Sequence, residues 1–245
     1  MDDVAVAASA ARAAARVLLA LRADGALIGR ALGDAGDAAA QEAISAVLAE
    51  ERPGDAVLSE EAADDERRLS ADRVWIVDPL DGTREYGEAG RADWAVHVAL
   101  WTGGELGASA VALPALDRVL VTDPAPAPPP RRDGPVRIAV SRTRPPAEAD
   151  AVAHALGGEL VPMGSAGYKV LAVVRGEVDA YVHSGGMYQW DSAAPVAVAR
   201  AAGLSTTRID GAPLVYNTAG LSLPDLVVCR PELAEPILAA VRAGR

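Results

Sequence analysis

Residues 75–86 read WIVDPLDGTREY. Three apolar residues, Trp75 to Val77, lead directly into Asp78, and Asp81, Gly82 and Thr83 follow. Two carboxylates delivered by an apolar run onto one turn repel each other and resist desolvation. No Lys or Arg adjoins them on the strand side. Pro79 cannot donate to a sheet ladder, so the strand is expected to end there. Gly82 permits an unusual backbone angle or the close approach of a ligand. Thr83 onward can start a short helix with free N–H groups. Carboxylates suit a hard cation such as Mg²⁺, and N–H groups at a helix start suit phosphate. The missing positive charge at this turn is therefore read as metal.

The bulk composition of the chain leads to an expected location in the cytoplasm. Its 245 residues are enough for one large domain or two small ones, and a 51% hydrophobic content supplies a substantial core. A net charge of −11 argues against nucleic-acid binding, which needs a basic surface. The single cysteine, Cys229, excludes an internal disulfide and reads as inert core. In the Ala-rich N-terminal stretch the longest bulky apolar run is VLLAL, too short for a signal peptide or a membrane span, so no membrane role is expected. Lys169 is the only lysine among 23 basic residues, which makes it either a remnant of drift or a residue kept for chemistry.

Periodicity and turn residues divide the chain in two. In residues 1–123 a helix is expected over about 3–22, a loop over 25–37, and a second helix over 38–50 capped by Asp37. Strands follow at 56–59, 73–77 and 93–101, then a hairpin over 107–123. Residues 124–135, PAPAPPPRRDGP, form a Pro-rich connector. In residues 136–245 strands and helices alternate, closing on a helix over 231–245, which implies largely parallel pairing. The fold class is α/β, with an α+β metal-binding first half and an α/β second half that completes the site and binds substrate.

Three further acids sit at element ends. Glu60 follows the strand AVLS in LSEE, Asp191 opens a helix in WDSAAP, and Asp37 opens another. Each alone reads as a helix cap or a solvated edge. With Asp78 and Asp81 they make a set large enough for two or more metal ions. The acid pair Glu60-Glu61, then DPLDGT, then WDSAA, in that order across the chain, resembles the inositol monophosphatase-like superfamily of Mg²⁺-dependent, lithium-sensitive phosphatases. The continuation TREY after the turn, together with DGAPLVYN at 210–217, is similar to the CysQ-type bisphosphate nucleotidase branch rather than to inositol monophosphatases.

The resemblance implies a layered αβαβα sugar-phosphatase-like fold. It implies removal of the 3′-phosphate of 3′-phosphoadenosine 5′-phosphate (PAP), with the related 3′-phosphoadenylyl sulfate as a second substrate and a place in sulfate assimilation. Inositol 1-phosphate and fructose 1,6-bisphosphate are the alternative substrates, and a non-catalytic Mg²⁺-dependent nucleotide-binding protein is the alternative of another class. Two to three Mg²⁺ ions are implied: Glu60, Asp78 and the Leu80 carbonyl at one, Asp78, Asp81 and Asp191 at a second, and a looser third near Glu60. Thr83 with Asp37, beside Glu60, would activate water for in-line attack without a phosphoenzyme. Gly82 and Thr83 N–H groups would hold the phosphate, and Asp191, Ser165, Lys169 and Arg142 would contact the substrate, an adenine nucleotide. A homodimer is compatible with this reading. His183 is read as a satisfied strand histidine, and His97 and His154 as structural. A haloacid dehalogenase-type phosphatase is disfavoured, because its acids are two positions apart and here the separation is three.

Overall fold

The computed structural model describes residues 1–244. Two five-stranded sheets and seven helices stack as five layers, the αβαβα arrangement expected above. Sheet one has the order β1-β2-β3-β4-β5, with β1 Ala56–Ser59, β2 Arg73–Asp81, β3 Ala95–Thr102, β4 Glu105–Leu113 and β5 Arg118–Val121. Only β1 and β2 are parallel, and the rest form an antiparallel meander.

Side-chain alternation along β2 assigns the two faces of this sheet. Trp75 and Val77 point toward helices α1 (Asp3–Asp24) and α2 (Gly29–Glu51), into a core with Val6, Ala10, Leu18 and Ile44. Val74 and Ile76 point the other way, toward α5 (Ala166–Val174) and α6 (Gln189–Ala201), which lie between the sheets. Among the described residues α1 is the one helix long and apolar enough to cross a bilayer, a property the sequence reading did not grant it. Here its Ala-rich face is packed in the first core.

Sheet two has the order β7-β6-β8-β10-β9: β6 Arg137–Ser141, β7 Glu159–Met163, β8 Ala180–Tyr188, β9 Ser205–Thr207 and β10 Ser222–Cys229. It is mixed rather than largely parallel. β6 runs parallel to β7 and β8, while β10 runs antiparallel to β8 and β9. Its outer face packs on α4 (Ala147–Leu156) and α7 (Ala234–Ala243), with Cys229 buried in that core. Arg245, the last residue of the expected closing helix, lies outside the described residues. Residues 122–136 pass between the sheets without helix or strand, and the Arg230 guanidinium donates to the Pro129 carbonyl at 2.9 Å to hold that path.

Two expectations about local structure need correction. Strand β2 does not end at Pro79. It runs on to Asp81 through a bulge against β3, where Asp78 faces His97 and Asp81 faces Ala95. A bulge is one of the few places where a sheet tolerates a residue without an N–H. The second correction concerns residues 29–37, which are helix rather than loop, so Asp37 is an interior residue of α2 and not its cap. Glycine disfavours a helix interior, but here it permits contact. A Cβ on Gly33 would stand 2.6 Å from Thr83 Cγ2, and one on Gly36 would stand 2.7 Å from Tyr86 Cε1. The glycines let α2 press on the short helix α3 (Thr83–Gly87) that follows the acid turn.

Gly36→Ala separates these two effects. Helix propensity alone would favour Ala by about 1 kcal/mol. The clash with Tyr86, and contacts of 3.1 Å with Leu18 and Leu80, should outweigh it. Overpacking costs about 1–3 kcal/mol, so urea melts are expected to show net destabilisation.

Candidate active site

The acid turn at the end of β2 meets the N-terminus of α5 from the second half. Asp81 is the meeting point. Its Oδ2 accepts from Ser165 Oγ at 2.5 Å and from Gly167 N at 2.6 Å, and its Oδ1 accepts from Ala166 N at 3.1 Å. A carboxylate at a helix N-terminus is favoured by the free N–H groups there and by the helix dipole. The approach requires glycine on both sides. Gly82 has φ +90°, and a Cβ on it would lie 3.1 Å from Ser165 Cβ. A Cβ on Gly167 would lie 1.9 Å from His97 Nε2.

Asp78 is fully buried behind this joint. Its Oδ1 accepts from Leu80 N at 3.0 Å, and its Oδ2 has no hydrogen-bond partner. His97, on β3, completes a compact group in which one donor atom from each of Asp78, Asp81 and His97 lies within 4.8 Å of the others. The His97 Nδ1 donates to the Trp190 carbonyl at 3.1 Å, which fixes the tautomer, and Nε2 stands 3.3 Å from Asp81 Oδ2. Asp191, one residue on from Trp190, is the third residue of α6 and caps its start from there, its Oδ2 accepting from Tyr188 N at 2.8 Å. Glu60 stands at the solvent edge, in the turn after β1. Asp37 is buried on α2 beside Thr83, whose hydroxyl donates to the Leu80 carbonyl at 3.1 Å.

Five carboxylates thus converge, and among the described residues no Lys or Arg forms an ion pair with any of them. Their proton affinities record the cost. Burial, with the charges of Asp81, Glu60 and Asp191, holds Asp78 well above the usual carboxylate range. Burial and the Asp81 charge raise Asp191 to about 8. Burial and the charge of Glu61 raise Asp37 to about 7, and partial burial with the charges of Asp37 and Asp81 raises Glu60 to about 7. Burial pushes His97 down, so it offers no compensating charge near neutral pH. An oxygen-rich, negatively charged group with unpartnered buried oxygens on Asp78 and Asp37 fits a hard divalent cation.

Beside the acids lies a cleft of about 310 Å³, bounded by Asp81, Thr83, Ser165, Lys169, His183 and Asp191. The structure places Ser165 and Lys169 on its wall but engages both. Ser165 caps α5 and ties Asp81 down. The Lys169 ammonium is buried, donates to the carbonyls of Gly164 and Ser165 at 3.2 and 2.6 Å, and lies 5.1 Å from the Tyr181 ring centroid. Burial lowers it to about 8. Arg142, the third expected substrate contact, also lines the cleft, and its guanidinium donates at 2.6 Å to both Glu85 and Glu88. Those partners lie 57 and 54 residues away in sequence, beyond the reach of local pattern reading. His97, expected to be structural, ties β3 to the Trp190 carbonyl, and its place beside Asp78 and Asp81 was not part of that expectation. Its one visible signal is a polar side chain among small residues on the strand face shared with Ala95 and Ala99.

The model of the inositol monophosphatase family matches residues 3–124 and 132–244. The chain belongs to this family. Enzymes of the family are metal-dependent. The chain is 51% identical over 258 residues to 3′-phosphoadenosine 5′-phosphate phosphatase of Mycobacterium leprae (strain TN), an alignment that spans 99% of this chain and 94% of that protein. It is 31% identical over 203 residues to 3′(2′),5′-bisphosphate nucleotidase CysQ of Escherichia coli (strain K12), covering 75% of this chain and 78% of that protein. The crystal structure of CysQ from Bacteroides thetaiotaomicron superposes with a TM-score of 0.80 at 26% identity, covering 93% of this chain and 96% of that one.

Linkage fixes how the metal-free protein responds to pH. Acids with raised folded-state values bind protons more tightly folded than unfolded, where carboxyls titrate near about 4. Stability should therefore fall as pH rises from about 4 through the values of about 7 for Asp37 and Glu60 and about 8 for Asp191. Thermal melts in chelator should show the lower Tm at pH 8 than at pH 5.5. The opposite slope would mean that the cluster carries no net repulsion.

Proposed function

We propose that this protein is a Mg²⁺-dependent phosphomonoesterase that removes the 3′-phosphate of 3′-phosphoadenosine 5′-phosphate, working in the cytoplasm in sulfate assimilation. One observation carries the reading: 51% identity to a protein of that activity, sustained over 99% of the chain. The acid set and the cleft beside it are consistent with such chemistry.

In this reading Glu60, Asp78, Asp81, Asp191 and the Leu80 carbonyl hold two to three ions. Bound there, the metal supplies Lewis-acid charge to the phosphate oxygens and lowers the pKa of water. The chain's own residues do the rest. Thr83 has one hydroxyl proton and two acceptors in reach, the Leu80 carbonyl and Asp37. When the proton turns to Asp37, the Thr83 oxygen can accept from water and orient it. The Asp37 carboxylate, buried beside Thr83, is placed to take that proton. The first N–H groups of α3, at Gly82 and Thr83, lack intrahelical partners and suit the scissile phosphate. Asp191 fixes the opposite side of the cleft from the start of α6. Ser165 and Lys169 shape the wall between them through Asp81 and the carbonyls of residues 164 and 165.

Turnover of PAP, inositol 1-phosphate and fructose 1,6-bisphosphate, measured side by side in Mg²⁺, tests the assignment. PAP should lead by at least an order of magnitude in kcat/KM; a preference for either of the others reassigns the substrate. Li⁺ should inhibit at fixed Mg²⁺, with KCl as the ionic-strength control, and unchanged rates would count against the shared metal site.

Asp78→Asn isolates the metal role. It keeps the shape of a group whose Oδ2 has no donor, so the fold should persist and the metal-free Tm should rise as repulsion is relieved. Turnover should fall by about a thousandfold or more, the scale of a lost electrostatic element at a reacting centre. Asp81→Asn should behave differently. Asp81 accepts three donors from residues 165–167, so it should lose stability as well as activity.

A further inference from the structure

A PAP-type substrate carries two phosphates, and each brings a charge of about −1.5 to −2 at neutral pH. The acid cluster and its metal account for the phosphate being cleaved. The other must be held by cations of this chain, whose net charge is −11. Five basic side chains line the cleft: Arg84, Arg142, Arg144, Lys169 and His183.

Three of these are already engaged. Arg142 is held by Glu85 and Glu88. Lys169 is buried and bonded to two carbonyls. The His183 Nε2 donates to the Gly186 carbonyl at 2.9 Å, which leaves Nδ1 as an acceptor, and burial lowers its affinity for a proton. A neutral imidazole whose Nδ1 is buried without a partner offers no positive charge to an anion. Arg84 and Arg144 remain, both exposed, and among the described residues no carboxylate pairs with either.

Their positions differ. Arg84 adjoins Thr83, at the end of the cleft where the acids are. Arg144 lies on the loop after β6, close enough to His183 to act on it electrostatically. That loop follows the carboxyl end of a strand running parallel to both its neighbours, the edge at which open α/β sheets bind ligands. Its course is fixed locally: the Arg144 N–H donates to Ser141 Oγ at 3.2 Å, so the backbone under the guanidinium is anchored while the side chain stays free.

Resting on the PAP reading above, the geometry points to Arg144 as the residue that binds the uncleaved phosphate and so sets the preference for bisphosphate over monophosphate nucleotides. An arginine fork suits a phosphate that must be held without being turned over. Arg142, with the same fork, is spent on holding α3 and the segment after it to the second half.

The test compares PAP with adenosine 3′-monophosphate, which has the scissile group but not the second phosphate. Arg144→Ala should lower kcat/KM for PAP about tenfold, as expected for a charged hydrogen bond at an exposed site. It should leave the monophosphate within about twofold, and the Tm unchanged, because the exposed side chain forms no ion pair with a carboxylate among the described residues. Arg144→Lys should keep part of the preference. In the wild type, the PAP-to-monophosphate ratio should shrink as KCl is raised, since an exposed contact is screened. An equal loss on both substrates, no loss on either, or a selective loss in Arg84→Ala instead would overturn the assignment. If the wild type turns over adenosine 3′-monophosphate or inositol 1-phosphate but not PAP, the substrate reading itself fails, and the role of Arg144 falls with it.

Discussion

The acceptance of the Asp81 carboxylate by the N-terminus of α5 is the interaction on which the site depends. Here the acid turn of the first sheet is tied to the helical layer between the sheets by three hydrogen bonds, from Ser165, Ala166 and Gly167. Each contact is charge-assisted and therefore stronger than a neutral bond. The geometry around it leaves no slack. Gly82, Gly164 and Gly167 each lie where a side chain would collide with the opposing half, at Ser165, Glu85 and His97 respectively. His97 adds a second tie, from β3 to the Trp190 carbonyl at the start of α6. Asp81 and Asp191 are thereby set in one frame, although 110 residues separate them in the chain.

That frame holds a charge distribution the fold would not choose for stability. Asp78 keeps an oxygen in the interior without a donor, and Asp37 does the same. The rest of the molecule compensates in places remote from the cleft. Asp3, Arg52, Arg73 and Asp55 form a paired cluster where α1 meets sheet one. The buried Arg68 joins Asp64, Asn217 and the Thr218 carbonyl, fastening the segment after Glu60 to the loop that precedes β10. Arginines at the periphery are thus satisfied by carboxylates, while the carboxylates at the centre are left for a cation from solution. A local conflict of this kind, set inside an otherwise consistent fold, is where function is expected.

What the sequence made legible follows from contact distance along the chain. The acids of DPLDGT, LSEE and WDSAA each lie at the end of an apolar or helical run, so their placement at element termini could be read locally. The α/β class also followed from the alternation of strand and helix, while the layer order came with the family resemblance. The failures are long-range. Three glycines in residues 29–36 read as a loop because propensity counts their cost and not the contact with Thr83 and Tyr86 that offsets it. The engagement of Arg142 could not be read locally, because Glu85 and Glu88 lie on the other half. The place of His97 beside Asp78 and Asp81 was out of reach in the same way, since its partner, the Trp190 carbonyl, is 93 residues away. The mixed character of the second sheet was likewise invisible, since β9 is three residues long and lacks a pattern of its own.

Lys169 shows why a rare residue type is an unreliable guide to where a charge will be used. It is the only lysine in the chain, and it does line the cleft. Yet its ammonium faces backbone carbonyls and an aromatic ring, an environment in which burial outweighs the pull of Asp81, Glu85 and Asp93 and drops its pKa to about 8. Arginine could not serve there, because a planar guanidinium with five donors would leave several unsatisfied in so small a space. The compact ammonium can bind the carbonyls of Gly164 and Ser165 at once, from a point one helical turn along α5. In doing so it stiffens the turn whose next three polar groups receive Asp81. Its charge is therefore felt by the acids through the shape of the joint as well as through the field, and a lysine retained in an arginine-rich chain is explained by geometry before any substrate is considered.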